Sequence, residues 1–124
     1  FFIIKNGVLI TPEGRNILRG ISREYVMTDL CNQLNIKVKE KNIEPYDVYT
    51  ADEAFMTGTP FCMLPVTSLN SNPIGNGKVG KVFSRIISHW SKNMNVDIIA
   101  QIEGWDFNKP GNNSSPTPYQ FKQK

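Results

Sequence analysis

Two short turns hold the residues of this chain whose types and spacing can do chemistry. One is Leu18-Arg19-Gly20-Ile21-Ser22-Arg23, where a glycine hands the backbone into a helix. The other is Thr57-Gly58-Thr59-Pro60, where an apolar run stops on a glycine and a hydroxyl. Each places backbone N–H groups beside a Ser or Thr hydroxyl, a combination that holds a phosphate without a charged side chain. Taken singly, each turn has a plainer reading. Ser22 is expected to cap its helix as the N-cap residue, and Gly58-Thr59 fits an ordinary β-turn whose glycine permits a backbone that other residues avoid. Two such turns in one small domain point to a phosphorylated ligand gripped from two sides.

Other candidates carry less. Gly75-Asn76-Gly77-Lys78-Val79-Gly80-Lys81-Val82 fits the frame of a nucleotide-binding P-loop, but Val82 stands where a magnesium-binding hydroxyl is needed. A glycine-rich entry into a helix accounts for it better. His89 is the single histidine and has no nucleophile or second ligand beside it, so it reads as a helix-flank residue. Asp52 and Glu53 lead into a strand, where neighbouring side chains point to opposite faces and cannot share a proton. Tyr25, Tyr46 and Tyr49 fit helix packing. Cys31 and Cys62 lack metal spacing and read as reduced, buried thiols of a cytoplasmic protein. No residue is read as catalytic and none as a metal ligand.

The elements that must position the turns follow from periodicity. Phe1 to Ile4 and Val8 to Thr11 flank Asn6-Gly7 and predict a tight hairpin. A helix from Ser22 to Leu34 carries the stripe Val26, Met27, Leu30, Cys31 and Leu34, and Asn35 closes it. Ile36 to Lys41 alternates as a strand, and Pro45 opens a short helix over 44–51. Strands are expected at Ala54 to Met56, ending at Gly58-Thr59, and at Phe61 to Thr67, with a turn at Asn70-Ser71-Asn72-Pro73. Val79, Val82, Phe83, Ile86, Ile87 and Trp90 line one face of a helix over 79–91, and Asn95 is placed to cap a last helix over 96–103. From Phe107 onward the composition of Pro, Gly, Asn, Ser and Lys predicts a polar, disordered tail.

The 124 residues suffice for one core, with 40% apolar and 20% charged residues, as in ordinary globular domains. A net charge of +3 with scattered lysines argues against nucleic-acid binding. No apolar stretch is long enough to span a membrane as a helix. Phe1-Phe2-Ile3-Ile4 is an apolar strand that needs neighbours on both sides, so the chain reads as part of something longer.

At these residues a resemblance adds more. Phe2-Ile3-Ile4-Lys5-Asn6-Gly7-Val8-Leu9-Ile10-Thr11-Pro12 resembles the Phe-x-Val-Lys-x-Gly-x-Leu-x-Thr-Pro stretch of the class IV (fold type IV) pyridoxal-phosphate aminotransferases. Ile17-Leu18-Arg19-Gly20-Ile21-Ser22-Arg23 is similar to their Ile-Leu-x-Gly-Ile-Thr-Arg turn. Ala51-Asp52-Glu53-Ala54-Phe55-Met56-Thr57-Gly58-Thr59 is similar to their Ala-Asp-Glu-x-Phe-x-(Ser/Thr)-Gly-Thr, and Pro65-Val66 and Ile74 to Gly80 continue the order. The resemblance runs over residues 1–105, and branched-chain amino acid aminotransferases resemble the chain most.

The resemblance implies an α+β fold, a mixed β-sheet/open barrel wrapped by helices. This is the C-terminal domain of the D-amino acid aminotransferase-like fold, here residues 1–106 truncated at the N-terminus, with 107–124 as tail. It implies that Gly20, Ile21 and Ser22, with Gly58 and Thr59, bind the phosphate of pyridoxal 5′-phosphate, and that Leu18 packs on its ring. It implies that Thr59, Pro60 and Phe61 meet the substrate. Here the chain departs from the family's Ala-Ala: proline has no N–H, so one carboxylate donor is missing, and Phe61 reshapes the pocket. The lysine that carries the cofactor, and the glutamate that pairs with its ring nitrogen, would lie upstream of Phe1.

The implied activity is transamination of an amino acid, best a branched-chain one, with 2-oxoglutarate, in a cytoplasmic homodimer or larger homo-oligomer. Two alternatives share the fold, a D-amino acid aminotransferase and an aminodeoxychorismate lyase. A third is a non-catalytic domain that binds a phosphate ligand or a protein partner.

Overall fold

The computed structural model describes residues 1–104; the proposed tail from Phe107 and the boundary at residue 106 lie outside the described residues. Strands Phe2–Lys5 (β1) and Val8–Thr11 (β2) form the expected hairpin. Asn6 and Gly7 take φ of 51° and 75°, the pair of left-handed residues that a tight right-twisted hairpin needs. Asp52 locks this turn by accepting the Asn6 N–H at 2.7 Å.

A continuous helical segment follows: Ile21–Tyr25 (α1), a π-helical turn at Val26–Leu30, and Cys31–Gln33 (α2). Its start differs from expectation. Gly20, with φ −87° and ψ 145°, is the N-cap, because its carbonyl already accepts the Glu24 N–H at 3.0 Å. Ser22 therefore lies inside the first turn, and its side chain caps nothing. In the wide turn the Thr28 hydroxyl donates to the Glu24 carbonyl at 2.9 Å, competing with the backbone ladder, a known cause of helix distortion. Asn35 ends the segment at φ 55°, as the sequence predicts.

Val38–Glu40 (β3) pairs parallel to β2, and Pro45–Tyr49 (α3) begins at a reciprocal cap between Glu44 and Asp47. Glu53–Gly58 (β4) and Cys62–Val66 (β5) form a second hairpin, and β4 also pairs with β1. The resulting five-stranded sheet has the order β3-β2-β1-β4-β5 and is mixed. Ser68–Leu69 (β6) and Asn72–Pro73 (β7) make a small ribbon around Asn70-Ser71, and two helices complete the described chain, Lys81–Met94 (α4) and Ile98–Glu103 (α5). The architecture is the mixed sheet with helices that the sequence implies.

Alternation sorts the sheet into two faces. Phe2, Ile4, Leu9, Phe55 and Met63 pack against Val26, Leu30, Cys31, Phe83, Ile86, Ile87 and Trp90 from the helices. Ile3, Ile10 and Ala54 turn the other way, onto Val48, Ala51 and Ile74. Phe2 stacks on Phe55 at 4.7 Å, and Phe55 tilts against Phe83 at 5.8 Å, so one aromatic column ties the central strands to α4.

Helix α4 starts at Lys81 rather than Val79, which is 53% exposed and leaves the expected stripe. Asn95 does not cap α5: it closes α4 in the left-handed region, and Asp97 caps α5 by accepting the Ala100 N–H. Tyr25 packs on Trp90 and Tyr49 accepts a hydrogen bond from Asn70, but Tyr46 is 73% exposed. Cys31 is buried, which pushes its thiol up to about 11; Cys62 is only half-buried.

The entry to α4 is closed from within. Both oxygens of Glu53 accept backbone N–H groups there, from Val82 at 3.0 Å and Phe83 at 2.9 Å. Any side chain on the N-cap Gly80 would overlap that carboxylate. The glycine-rich segment that imitates a P-loop thus delivers a helix N-terminus to an internal anion. Asp52 and Glu53 face apart, one serving the β1–β2 turn and the other α4, as alternation requires.

Candidate functional site

The two turns meet. Gly20, Ile21 and Ser22 form one side of a cleft of about 430 Å³, and Thr57, Gly58 and Thr59 form the other. Leu18, Ile17, Phe1 and Pro12 also line it. Leu18 is 93% and Ile21 88% exposed, so both present bare apolar side chains at the opening. The six residues expected to touch the cofactor (Leu18, Gly20, Ile21, Ser22, Gly58 and Thr59) all line this one cleft.

Its lining offers hydrogen-bond donors and no carboxylate. The N–H groups of Ile21, Ser22 and Arg23 are the unpaired donors of a helix start, and none has a partner among the described residues. The hydroxyls of Ser22, Thr57 and Thr59 are likewise without partners among the described residues. No carboxylate lines the cleft, and its single charged lining residue is Arg23.

In the β4–β5 turn the Phe61 N–H donates to the Gly58 carbonyl at 3.3 Å, and Pro60 has no N–H. Within Thr59 to Phe61 that leaves the Thr59 N–H as the donor without a partner among the described residues. Gly58 itself is not left-handed. It is required for space, because a Cβ there would stand 2.6 Å from the Phe61 ring. Pro60 and Phe61 are not among the residues lining the cleft: Pro60 is exposed at the tip, and the Phe61 ring folds over Gly58. Cys62 takes φ 58°, and the Met63 N–H donates across it to the Phe61 carbonyl at 2.6 Å, a tight turn that few side chains adopt.

The motif reading overlooks two buried polar residues. Thr11 is fully buried at the end of β2, and Arg23 is 9% exposed on α1. A signal for Arg23 is present in the spacing, since residues 23, 26, 27 and 30 share one helix face and the other three are apolar. A cation that prolongs an apolar stripe needs partners inside.

A cleft rich in N–H donors without partners among the described residues thus sits on a mixed sheet backed by helices. Residues 1–69 match the family described as amino-transferase class IV. The probable branched-chain-amino-acid aminotransferase of Aquifex aeolicus is 43% identical over 86 residues, covering 68% of this chain and 28% of that protein. Among solved structures, the branched-chain amino acid aminotransferase of Escherichia coli superposes with a TM-score of 0.71 at 36% identity, over 73% of this chain and 30% of that one. The T.th. branched-chain amino acid aminotransferase with pyridoxamine 5′-phosphate gives a TM-score of 0.70 at 31% identity, over 84% of this chain and 34% of that one. The chain belongs to the class IV aminotransferase family, and it spans under a third of the length of the Aquifex aeolicus and Escherichia coli relatives.

Proposed function

We propose that this chain forms the C-terminal part of a pyridoxal-phosphate aminotransferase that moves an amino group between a branched-chain amino acid and 2-oxoglutarate. The observation that carries the reading is the convergence of both phosphate turns on one carboxylate-free cleft. The donors present suit the cofactor's phosphate. Helix-start N–H groups and two hydroxyls supply directed hydrogen bonds, and the α1 dipole favours a dianion there. When bound, pyridoxal phosphate supplies the electron sink that amino-group transfer requires.

The chain's own residues bind and orient. Ile21 and Ser22 hold the phosphate from one side and Thr59 from the other, while Leu18 presents an apolar surface to a flat ring. The Thr59 N–H is the donor left to a substrate carboxylate, because Pro60 removes the next one. No lysine lines the cleft. Covalent anchoring and movement of the α-proton fall to a lysine outside these residues. Cytoplasmic location and a homodimer or larger assembly belong to the same reading.

Pro60 and Phe61 favour a second reading within the fold, a D-amino acid aminotransferase or an aminodeoxychorismate lyase, since a turn with one donor holds a carboxylate differently. The test uses the whole polypeptide as its gene encodes it. Borohydride should trap pyridoxal phosphate on a lysine, and a panel of L-branched-chain, D-amino acid and aminodeoxychorismate substrates then separates the two readings. Absence of any trapped cofactor would overturn both and leave the non-catalytic binding domain.

A further inference from the structure

The first turn of α1 is strangely anchored. Gly20 makes no side-chain bond, and a Cβ there would touch nothing. Ile21 points into solvent, and the Ser22 hydroxyl has no partner among the described residues. Within 20–23 the only side chain fastened to the rest of the fold is Arg23. Its Nη2 donates to the Pro12 carbonyl at 2.8 Å and to the Glu40 carboxylate at 2.8 Å, and its Nε to the Thr11 hydroxyl at 3.4 Å. The buried Thr11 hydroxyl in turn donates to the Phe1 carbonyl at 2.9 Å.

One planar guanidinium therefore joins the helix start to the end of β2, to the loop behind it, to edge strand β3 and, through Thr11, to the residue that opens β1. Burying a cation is costly, and stability alone would be served as well by an apolar residue. A cation in a helix's first turn also opposes the dipole. Glu40 offsets that charge, and Arg23 in return holds the Glu40 carboxyl below the usual carboxylate range. What the rigid fork provides that an apolar residue does not is orientation.

We infer that Arg23 is a positioning residue, whose guanidinium fixes the Ile21 and Ser22 N–H groups against the Thr59 hydroxyl across the cleft. The inference rests on the phosphate reading given above and deepens it. It also divides the work along the helix: residues 20–22 face the ligand, and the next residue faces the sheet.

The test is residue-resolved NMR of the chain with and without pyridoxamine 5′-phosphate, for the wild type, Arg23→Met, Arg23→Lys and the core control Ile87→Val. In Arg23→Met the Ile21 and Ser22 amide signals should shift or broaden before any ligand is added, and affinity should fall about tenfold. Arg23→Lys keeps the charge but cannot reach three acceptors at once, and should fall between. Ile87→Val should lower thermal stability and leave those amides and the affinity alone. Arg23→Met with unmoved Ile21 and Ser22 amides and affinity within about twofold overturns the inference, as does an equal affinity loss in Ile87→Val. If the wild type binds no pyridoxamine 5′-phosphate, the phosphate reading of this chain fails, and positioning is judged on the ligand-free amides alone. If Arg23→Met does not fold, Arg23→Lys and Glu40→Gln carry the same comparison.

Discussion

The molecule has two helix N-termini that begin alike and end differently. Each has glycine as N-cap in the extended region, Gly20 before α1 and Gly80 before α4. At α4 the free N–H groups are filled by the chain's own Glu53, whose carboxylate packs so closely on Gly80 that no side chain fits. At α1 nothing within the described residues fills them, and space around Gly20 is open. The same backbone motif is thus a structural joint in one place and an open set of N–H donors in the other. What separates them is a single carboxylate within reach. A helix start becomes a candidate site when the fold withholds its internal anion.

The comparison breaks most clearly at the glycines. Gly80→Ala should displace Glu53 and cost about 3 kcal/mol in urea unfolding, since two charge-assisted hydrogen bonds are lost and a carboxylate is pushed aside. The same change at Gly20 should alter stability by less than about 0.5 kcal/mol, because φ is negative and the Cβ meets nothing. Equal effects at the two positions would erase the distinction.

Glu53→Gln comes next, at about 1 kcal/mol: an amide offers one acceptor oxygen where two N–H groups must be met. At the open end, Ser22→Ala and Thr59→Ala should each leave the denaturant midpoint nearly unchanged. Each should weaken pyridoxamine 5′-phosphate binding about tenfold by calorimetry, the worth of one hydrogen bond to a charged group. If either change instead unfolds the chain, its hydroxyl serves the fold rather than the cleft.

The smallest effect concerns Glu40. Its folded pKa is depressed, mainly by the hydrogen bond from Arg23, so its contribution is present above the unfolded value of about 4.3 and is lost as pH falls through the folded value. Melting temperature should decline more gently on the acid side in Glu40→Gln than in the wild type. The difference should be small, because the Glu40 side chain is 46% exposed.

Locally determined features were legible in the sequence. Asn6-Gly7, the helix stripe ending at Asn35, and Pro45 behind Glu44 each act through neighbours a few residues away, and the structure places them as read. Both glycine-and-hydroxyl turns were legible as well, because that pairing is a local signature, and the structure brings them to one cleft. The differences are of two kinds, local boundaries and distant partners. Ser22 looked like a cap because its side chain suits one, yet the Gly20 carbonyl had already started the helix. Gly58 looked like a conformational requirement and is a spatial one, set by the Phe61 ring. Glu53 gave no sign of closing a helix far along the chain, and Arg23 none of its three acceptors beyond an odd place in an apolar stripe.

By itself, then, the sequence determined the elements and the two groups of donors, since backbone freedom and side-chain chemistry are properties of a few adjacent residues. Tertiary structure alone decided that these donors share one cleft, that α4's equivalent donors are spent on Glu53, and that the Arg23 guanidinium meets Thr11, Pro12 and Glu40. Those outcomes depend on which segments the sheet order β3-β2-β1-β4-β5 brings side by side. Hydrogen bonds and charges act over a few ångströms, whatever the separation along the chain.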